Sequence, residues 1–213
     1  MSASVTPVTI AVPKGRVTRA LAPLFERAGI DPAPLLADDR RLIRESADGR
    51  YRFMLLKPDD VPTYVEYGTA ELGVSGRDVL RERRYDLYQP LDLGVGRCRM
   101  AVAGLPNAEV PPVPRVATKY PRTATEHFAS RGVQVEVIYV QGSVELAPLV
   151  GLADLIVDLV ESGATLRDNG LVEFETIADV SSVLVANPSL YKLRHAEIEG
   201  LIQHLRAAVE APR

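Results

Sequence analysis

Three short apolar runs, Val8–Val12, Tyr51–Leu56 and Glu71–Ser75, each lead into a loop bearing lysine or arginine and then into a helical pattern. This strand-helix alternation constrains the fold more than any other feature. It predicts a doubly wound parallel sheet, whose ligands gather at the carboxyl ends of the strands. After the first run comes Pro13-Lys14-Gly15-Arg16, then a stripe of Val17, Leu21, Leu24, Phe25 and Ala28 that stops at Gly29. Two cations at a helix start are electrostatically unfavourable unless an anion joins them, the alternative being a solvated turn. The second run precedes Lys57-Pro58-Asp59-Asp60, with Asp60 expected to cap a helix that has Pro62 in its first turn and ends at Tyr67-Gly68. The third precedes Gly76-Arg77-Asp78 and a helix to about Arg84. Between the first two lies Asp38–Arg44, a charged segment read as an exposed edge or flap.

From Leu91 to Leu105 the chain is glycine-spaced and extended without helical periodicity, which reads as a crossover into a second domain. Four prolines between Pro106 and Pro114 mark a surface linker. Val116–Thr118 is a strand followed by Lys119-Tyr120-Pro121-Arg122. Thr123 to Glu126 then has the spacing of a capping box opening a helix to Arg131. Val133–Val140 is a strand, and Gly142-Ser143 precedes a helix through Val150. Leu171–Ile177 and Ser182–Ala186 are further strands. After Asn187-Pro188 a single helix is expected from Ser189 to about Ala208, its apolar face (Leu190, Leu193, Ile198, Leu201, Ile202, Leu205, with Val209 beyond) packing back on the first domain.

The stretch from Asp154 to Leu166 carries the most chemistry. An apolar β-branched run interrupted by Asp154 and Asp158 ends at Glu161-Ser162-Gly163-Ala164-Thr165, and a short helix with a glycine stop at Gly170 follows. Small hydroxyl residues where a strand meets a helix start leave N–H groups free for an anion. Neighbouring carboxylates suit ribose hydroxyls or phosphate-borne magnesium, so a phosphorylated sugar is expected. The same residues would also make an ordinary strand-to-helix turn, with Ser162 as N-cap and Gly163 chosen for its dihedrals.

Composition narrows the classes. The chain has 213 residues, 46% hydrophobic and 25% charged, enough for one large domain or two small ones. A formal charge of −3 argues against a general nucleic-acid binder. No apolar run approaches bilayer length and the first seven residues lack a secretory pattern, so a cytoplasmic location is expected. Cys98 is the sole cysteine, which excludes an internal disulfide or a cysteine-based zinc site, and His127, His195 and His204 share no ligand spacing.

The pattern Glu145, Gly151, Ala153, Ile156, Asp158-Leu159, Ser162-Gly163, Thr165-Leu166 resembles the motif of the ATP phosphoribosyltransferase family. Val12–Arg16, Lys57–Glu66 and Glu71–Asp78 also resemble that family's catalytic subunit, and the similarity runs over 8–206. It implies the first step of histidine biosynthesis: the adenine N1 of ATP joins C1 of 5-phosphoribosyl 1-pyrophosphate, releasing pyrophosphate. It also implies a two-lobed α/β fold of the periplasmic-binding-protein type II kind, mostly parallel sheets flanked by helices with a central cleft. Residues 1–93 with 184–213 would form domain I, and 94–183 the phosphoribosyl-pyrophosphate lobe. The length resembles the short form. That implies self-association and a hetero-oligomer with a regulatory subunit similar to histidyl-tRNA synthetase.

On this resemblance Ser162, Gly163, Ala164, Thr165 and Leu166 bind the 5-phosphate region, and Asp158 and Glu161 orient the ribose. Lys14, Gly15, Arg16 and Lys57 face the remaining phosphate charges. Arg77 joins them or pairs with Asp78 or Glu82, and Glu145 enters only through the motif. Magnesium is implied as substrate-bound, with no protein ligand named. A base-salvage phosphoribosyltransferase would carry two adjacent acids, whereas Leu159-Val160 separates Asp158 from Glu161. The remaining alternative is a non-catalytic small-anion or effector-binding module on the same fold.

Overall fold

The computed structural model describes residues 6–211, and most of the amino-terminal segment used for the leader reading lies outside them. The chain forms two compact units, Met1–Gly96 with Ser181–Arg213, and Arg97–Val180. The divisions fall at 96/97 and 180/181, where 93/94 and 183/184 were expected. Among the described residues no helix is long and apolar enough to cross a membrane.

In chain order the first unit contains β1 (Val8–Pro13), α1 (Arg16–Arg27), α2 (Ala33–Leu36), β2 (Ile43–Glu45) and β3 (Tyr51–Leu56). A 3₁₀ turn (Pro58–Asp60) leads to α3 (Val61–Glu66), β4 (Leu72–Gly76), α4 (Arg77–Glu82) and β5 (Tyr88–Asp92). The second unit holds β6 (Cys98–Gly104), β7 (Arg115–Thr118), α5 (Pro121–Ala129), β8 (Glu136–Tyr139), α6 (Leu146–Leu149), β9 (Leu155–Val160), α7 (Ala164–Asp168) and β10 (Val172–Val180). The chain then returns to the first unit as β11 (Ser182–Ala186), α8 (Pro188–Leu193) and α9 (His195–Glu210).

The first sheet has the order β2-β3-β1-β4-β11-β5 and the second β10-β6-β9-β7-β8. The α/β architecture is as expected, but the sheets are mixed rather than mostly parallel. β1 runs parallel to β3 and β4, while β2, β11 and β5 pair antiparallel. In the second sheet β7, β8 and β9 are parallel and β6 is antiparallel to both β9 and β10. The antiparallel pairs arise where the chain doubles back over short turns (β2–β3) or re-enters a sheet (β11), connections that need no helical crossover.

Every residue of β1 is buried, Thr9 included, as a strand in a sheet covered on both faces requires. Phe25 of α1 stacks on Phe53 of β3 with ring centroids 6.3 Å apart, and both are fully buried. Ile198, Leu201, Ile202 and Leu205 of α9 join this cluster, so the returning helix completes the core of the first unit.

Local details depart from expectation for identifiable reasons. Asp60 makes no capping bond because it already lies in helical conformation (φ −91°, ψ −22°) at the end of the 3₁₀ turn. The Thr123–Glu126 capping box does not form. Pro121, pre-set for a first helical position, starts α5 earlier and leaves Thr123 buried inside it. The single carboxyl-terminal helix is two, broken at Arg194 (φ −113°, ψ 34°). There the guanidinium reaches Glu71 (2.6 Å), Glu197 (2.7 Å) and the Pro7 carbonyl (3.2 Å).

The charged segment 38–44 is not wholly an exposed flap. Its end enters β2, and Arg44 is buried, donating to the Pro34 carbonyl (2.7 Å) and to Asp39 (3.0 Å). The side-chain hydrogen bond from Arg41, helped by the Arg41 N–H, lowers the Asp39 pKa from 3.8 to about 2. A depressed carboxyl contributes stability above its unfolded pKa and loses it as pH falls through the folded one. Asp39→Asn is therefore expected to flatten the acid limb of the Tm-versus-pH curve between about pH 4 and about pH 2. An unchanged slope would remove Asp39 from acid unfolding.

Candidate active site

In the first unit the strand register brings two expected cations together. β1 and β3 pair through Pro13 and Leu56, and the Lys14 N–H donates to the Leu56 carbonyl (2.8 Å). Lys14 and Lys57 thus leave adjacent parallel strands side by side, and both are exposed. The Thr18 hydroxyl donates back to the Pro13 carbonyl, bracing the turn from inside α1. Gly15 takes φ 99°, ψ −139° as the residue before α1, a conformation that leaves Arg16 exposed at the first helical position. Lys14 and Arg16 accordingly stand at a helix start where an anion would relieve their mutual repulsion.

Arg77 begins α4 after β4, the other parallel neighbour of β1. Its guanidinium is held by partners the sequence reading did not name, Asp92 (3.3 Å) and the Ser181 hydroxyl (3.4 Å). Ser181 also donates to Asp92 at 2.8 Å. Burial pushes the Asp92 carboxyl up, but the Gly94 N–H, Ser181 and Arg77 outweigh it and leave the group lowered. These bonds connect the end of β5 to the start of β11, so Arg77 braces the two crossings within the first unit.

In the second unit the parallel trio β9, β7 and β8 presents three carboxyl-end loops along one sheet edge. Thr118 ties two of them, its hydroxyl donating to the Val157 carbonyl (2.6 Å) and accepting from the Tyr120 N–H (2.9 Å). Lys119 lies on the β7 loop with Nζ 5.8 Å from the Tyr120 ring centroid. Glu145 lies beyond β8 as the half-buried residue preceding α6, and makes no side-chain capping bond.

The loop after β9 has the most defined geometry. Gly163, not Ser162, is the residue before α7, and it is left-handed (φ 75°, ψ 7°). The Ser162 hydroxyl accepts from the Ala164 N–H at 3.3 Å, so it assists the turn from one position earlier. Three successive carbonyls are engaged. Glu161 accepts from Arg99 Nη1 (3.2 Å), Ser162 from Arg167 Nη1 (3.0 Å), and Gly163 from the Arg167 N–H (3.1 Å). With the carbonyls turned back, the N–H groups that open α7 precede its hydrogen-bonded ladder, the arrangement of an anion nest.

Thr165 and Glu161 are exposed and Ala164 is half-buried, so each can meet a ligand. Leu166 differs. Its side chain is 6% exposed and sits among Val160, Ile156 and Leu171, so it anchors α7 and can contribute only backbone to a ligand. Asp158 is half-buried on β9, opposite Ala101, with Oδ1 accepting from the Leu159 N–H at 2.8 Å. Asp154, the other carboxylate of the run, lies at the opposite end of β9. It accepts from the Arg115 N–H (2.8 Å) and pairs with its guanidinium (3.0 Å), which holds its carboxyl below the usual range.

Arg99 and Arg167 escaped the sequence reading. A basic residue four positions after Gly163 was a usable signal for Arg167. Arg99 is 62 positions from Glu161 and only strand pairing brings it there. It is anchored by Glu173 through Nε (2.9 Å) and Nη2 (2.6 Å), and the Thr176 hydroxyl donates to the same carboxylate at 2.9 Å. Arg99, followed by Thr176, holds the Glu173 carboxyl below its ordinary pKa.

The family described as HisG: ATP phosphoribosyltransferase matches residues 57–207. An ATP phosphoribosyltransferase from Sorangium cellulosum is 64% identical over 202 residues, covering 95% of this chain and 96% of that one. One from Geobacillus kaustophilus is 49% identical over 206 residues, covering 96% and 100%. A chain of the ATP phosphoribosyl transferase (HisG:HisZ) complex from Thermotoga maritima superposes with a TM-score of 0.83 at 32% identity, covering 95% of this chain and 98% of its own. An α/β fold with an anion-type loop at a sheet's carboxyl edge, matched along nearly its whole length by such relatives, defines a pentosyltransferase. The chain belongs to the ATP phosphoribosyltransferase family.

Proposed function

We propose that the chain is the catalytic subunit of a short-form ATP phosphoribosyltransferase, joining adenine N1 of ATP to C1 of 5-phosphoribosyl 1-pyrophosphate with loss of pyrophosphate. The observation that carries this reading is the Glu161–Thr165 loop, whose carbonyls are tied back around a left-handed glycine. Its N–H groups and the Ser162 and Thr165 hydroxyls bind the 5-phosphate, with Gly163 and Ala164 allowing close approach. Asp158 and Glu161 orient the ribose hydroxyls and favour positive charge developing at C1 as the leaving group departs.

Lys14, Arg16 and Lys57 take the charges of pyrophosphate and the ATP phosphates, and Gly15 lets the first turn of α1 come close. Arg77 is better placed as a brace through Asp92 and Ser181 than as a direct ligand. Glu145 remains a binding residue on its motif position alone. Adenine N1 attacks with its own lone pair, so binding and alignment rather than proton abstraction are what the residues must supply.

Among the described residues no three His, Cys, Asp or Glu side chains gather as an ion site. Magnesium enters with the pyrophosphate-bearing substrate, whose oxygens coordinate it. The Thermotoga maritima neighbour is a chain of a two-component complex. We infer a corresponding histidyl-tRNA-synthetase-like regulatory partner for this chain, self-association within the assembly, and a place in the cytoplasm.

The test is to mix purified protein, with and without the regulatory subunit, with ATP, magnesium and phosphoribosyl pyrophosphate. The ultraviolet absorbance of phosphoribosyl-ATP should rise as pyrophosphate appears. No product in either mixture would overturn the reading. Lys14→Ala and Thr165→Ala should each lower kcat/KM for phosphoribosyl pyrophosphate about tenfold or more with little change in Tm, since each removes a charged or hydroxyl contact from an exposed position. Parallel losses of Tm and activity would assign these residues to folding instead.

A further inference from the structure

Resting on the proposed function, we infer that Arg99 and Arg167 are positioning residues for the 5-phosphate loop, and that Glu173 sets Arg99 in place. The two guanidiniums come from different elements, the start of β6 and the last turn of α7, yet bind consecutive carbonyls, those of Glu161 and Ser162. A Cβ built on Gly163 would lie 3.1 Å from Arg167 Nη1 and 4.0 Å from Arg99 Nη2, so the glycine turn is flanked by both. Carbonyl and N–H dipoles of a peptide point in opposite directions. Fixing the Glu161 and Ser162 carbonyls therefore fixes the direction of the Ser162 and Gly163 N–H groups, and with them the turn that presents the opening N–H groups of α7.

Arg99 performs this with its remaining donors while Nε and Nη2 are occupied by Glu173. Only a forked guanidinium can hold a carboxylate and a carbonyl in this way, and the compact ammonium of lysine cannot span both. The Thr176 hydroxyl on Glu173 orients the carboxylate in turn. Two positive charges beside the loop also raise its attraction for phosphate, but all three Arg99 nitrogens and Arg167 Nη1 are directed at protein oxygens, which makes their role one of geometry.

The experiment compares wild type, Arg99→Lys, Arg99→Met, Arg167→Met and Glu173→Gln in the full chain with its regulatory subunit. The expected result is a rise of about tenfold in KM for phosphoribosyl pyrophosphate for the Arg99 and Arg167 variants, with KM for ATP unchanged. Glu173→Gln should shift the same constant in the same direction by less, because it loosens Arg99 without removing it. As a readout independent of turnover, ribose 5-phosphate should raise the Tm of wild type and fail to raise that of Arg99→Lys and Arg167→Met. Arg99→Lys keeps the charge and the stem, so it carries the test if Arg99→Met does not fold.

An unchanged KM for phosphoribosyl pyrophosphate in Arg99→Lys and Arg167→Met, or an equal rise in both substrates' KM values, would overturn the inference. Inactive wild type would instead overturn the proposed function, and an active wild type with unaffected variants would overturn this inference alone.

Discussion

Gly163→Val should lower the rate of phosphoribosyl-ATP formation about 100-fold, the scale on which losing an aligned backbone donor acts on a developing charge. Gly163 holds φ 75°, where a β-branched residue is a true outlier. Even the first added carbon would press on Arg167 Nη1 at 3.1 Å and touch Val160 at 3.8 Å. The valine variant must either keep the left-handed turn under strain or flip the peptide and swing the loop's N–H groups off the phosphate they are proposed to bind.

Gly132→Val supplies the control. Gly132 is also left-handed (φ 71°), but a Cβ there would meet nothing within 4 Å. Both variants should lose about 1–3 kcal/mol of stability from backbone strain, while Gly132→Val keeps its activity. Initial rates at saturating ATP, paired with urea unfolding, measure both effects. Comparable activities for the two variants would remove the turn from phosphate binding.

The largest expected loss of stability is for Phe25→Ala, about 3–5 kcal/mol, from burial lost and the cavity left behind. Phe25 is fully buried, stacks on Phe53, and lies in the cluster that α9 completes. Against a typical total of about 5–15 kcal/mol this brings the first unit close to unfolding. Leu193→Ala, at a side chain 79% exposed, should stay within about 0.5 kcal/mol of wild type. The denaturant midpoints of the two variants make the comparison, and similar midpoints would contradict the assigned core.

Where the residues alone were informative, the reason was local. Tyr51–Leu56 and Ser182–Ala186 were legible to the residue because each is an apolar run between turn signals. The turn at 161–165 was legible as a strand-to-helix turn because small residues and a glycine follow the apolar run there, and only the family motif marked it for a ligand. What escaped was set by distant partners. β10 runs on to Val180 because β6 pairs along its length, through two irregularities in register. The last helix breaks at Arg194, whose guanidinium binds Glu71 on the loop before β4. Arg77 looked available for a ligand until Asp92 and Ser181 were seen beside it, 15 and 104 positions away. Arg99 had no local mark at all, since its partners lie on other strands and loops.

The position of β11 has a consequence for biosynthesis. It lies between β4 and β5, but the ribosome makes it only after all of Arg97–Val180. During translation the contiguous second unit can close while the first still lacks an interior strand and the α9 face of its core. A nascent chain stalled just after Val180 would leave β4 and β5 with open edges, the surfaces on which a half-made polypeptide is most prone to stick to its neighbours.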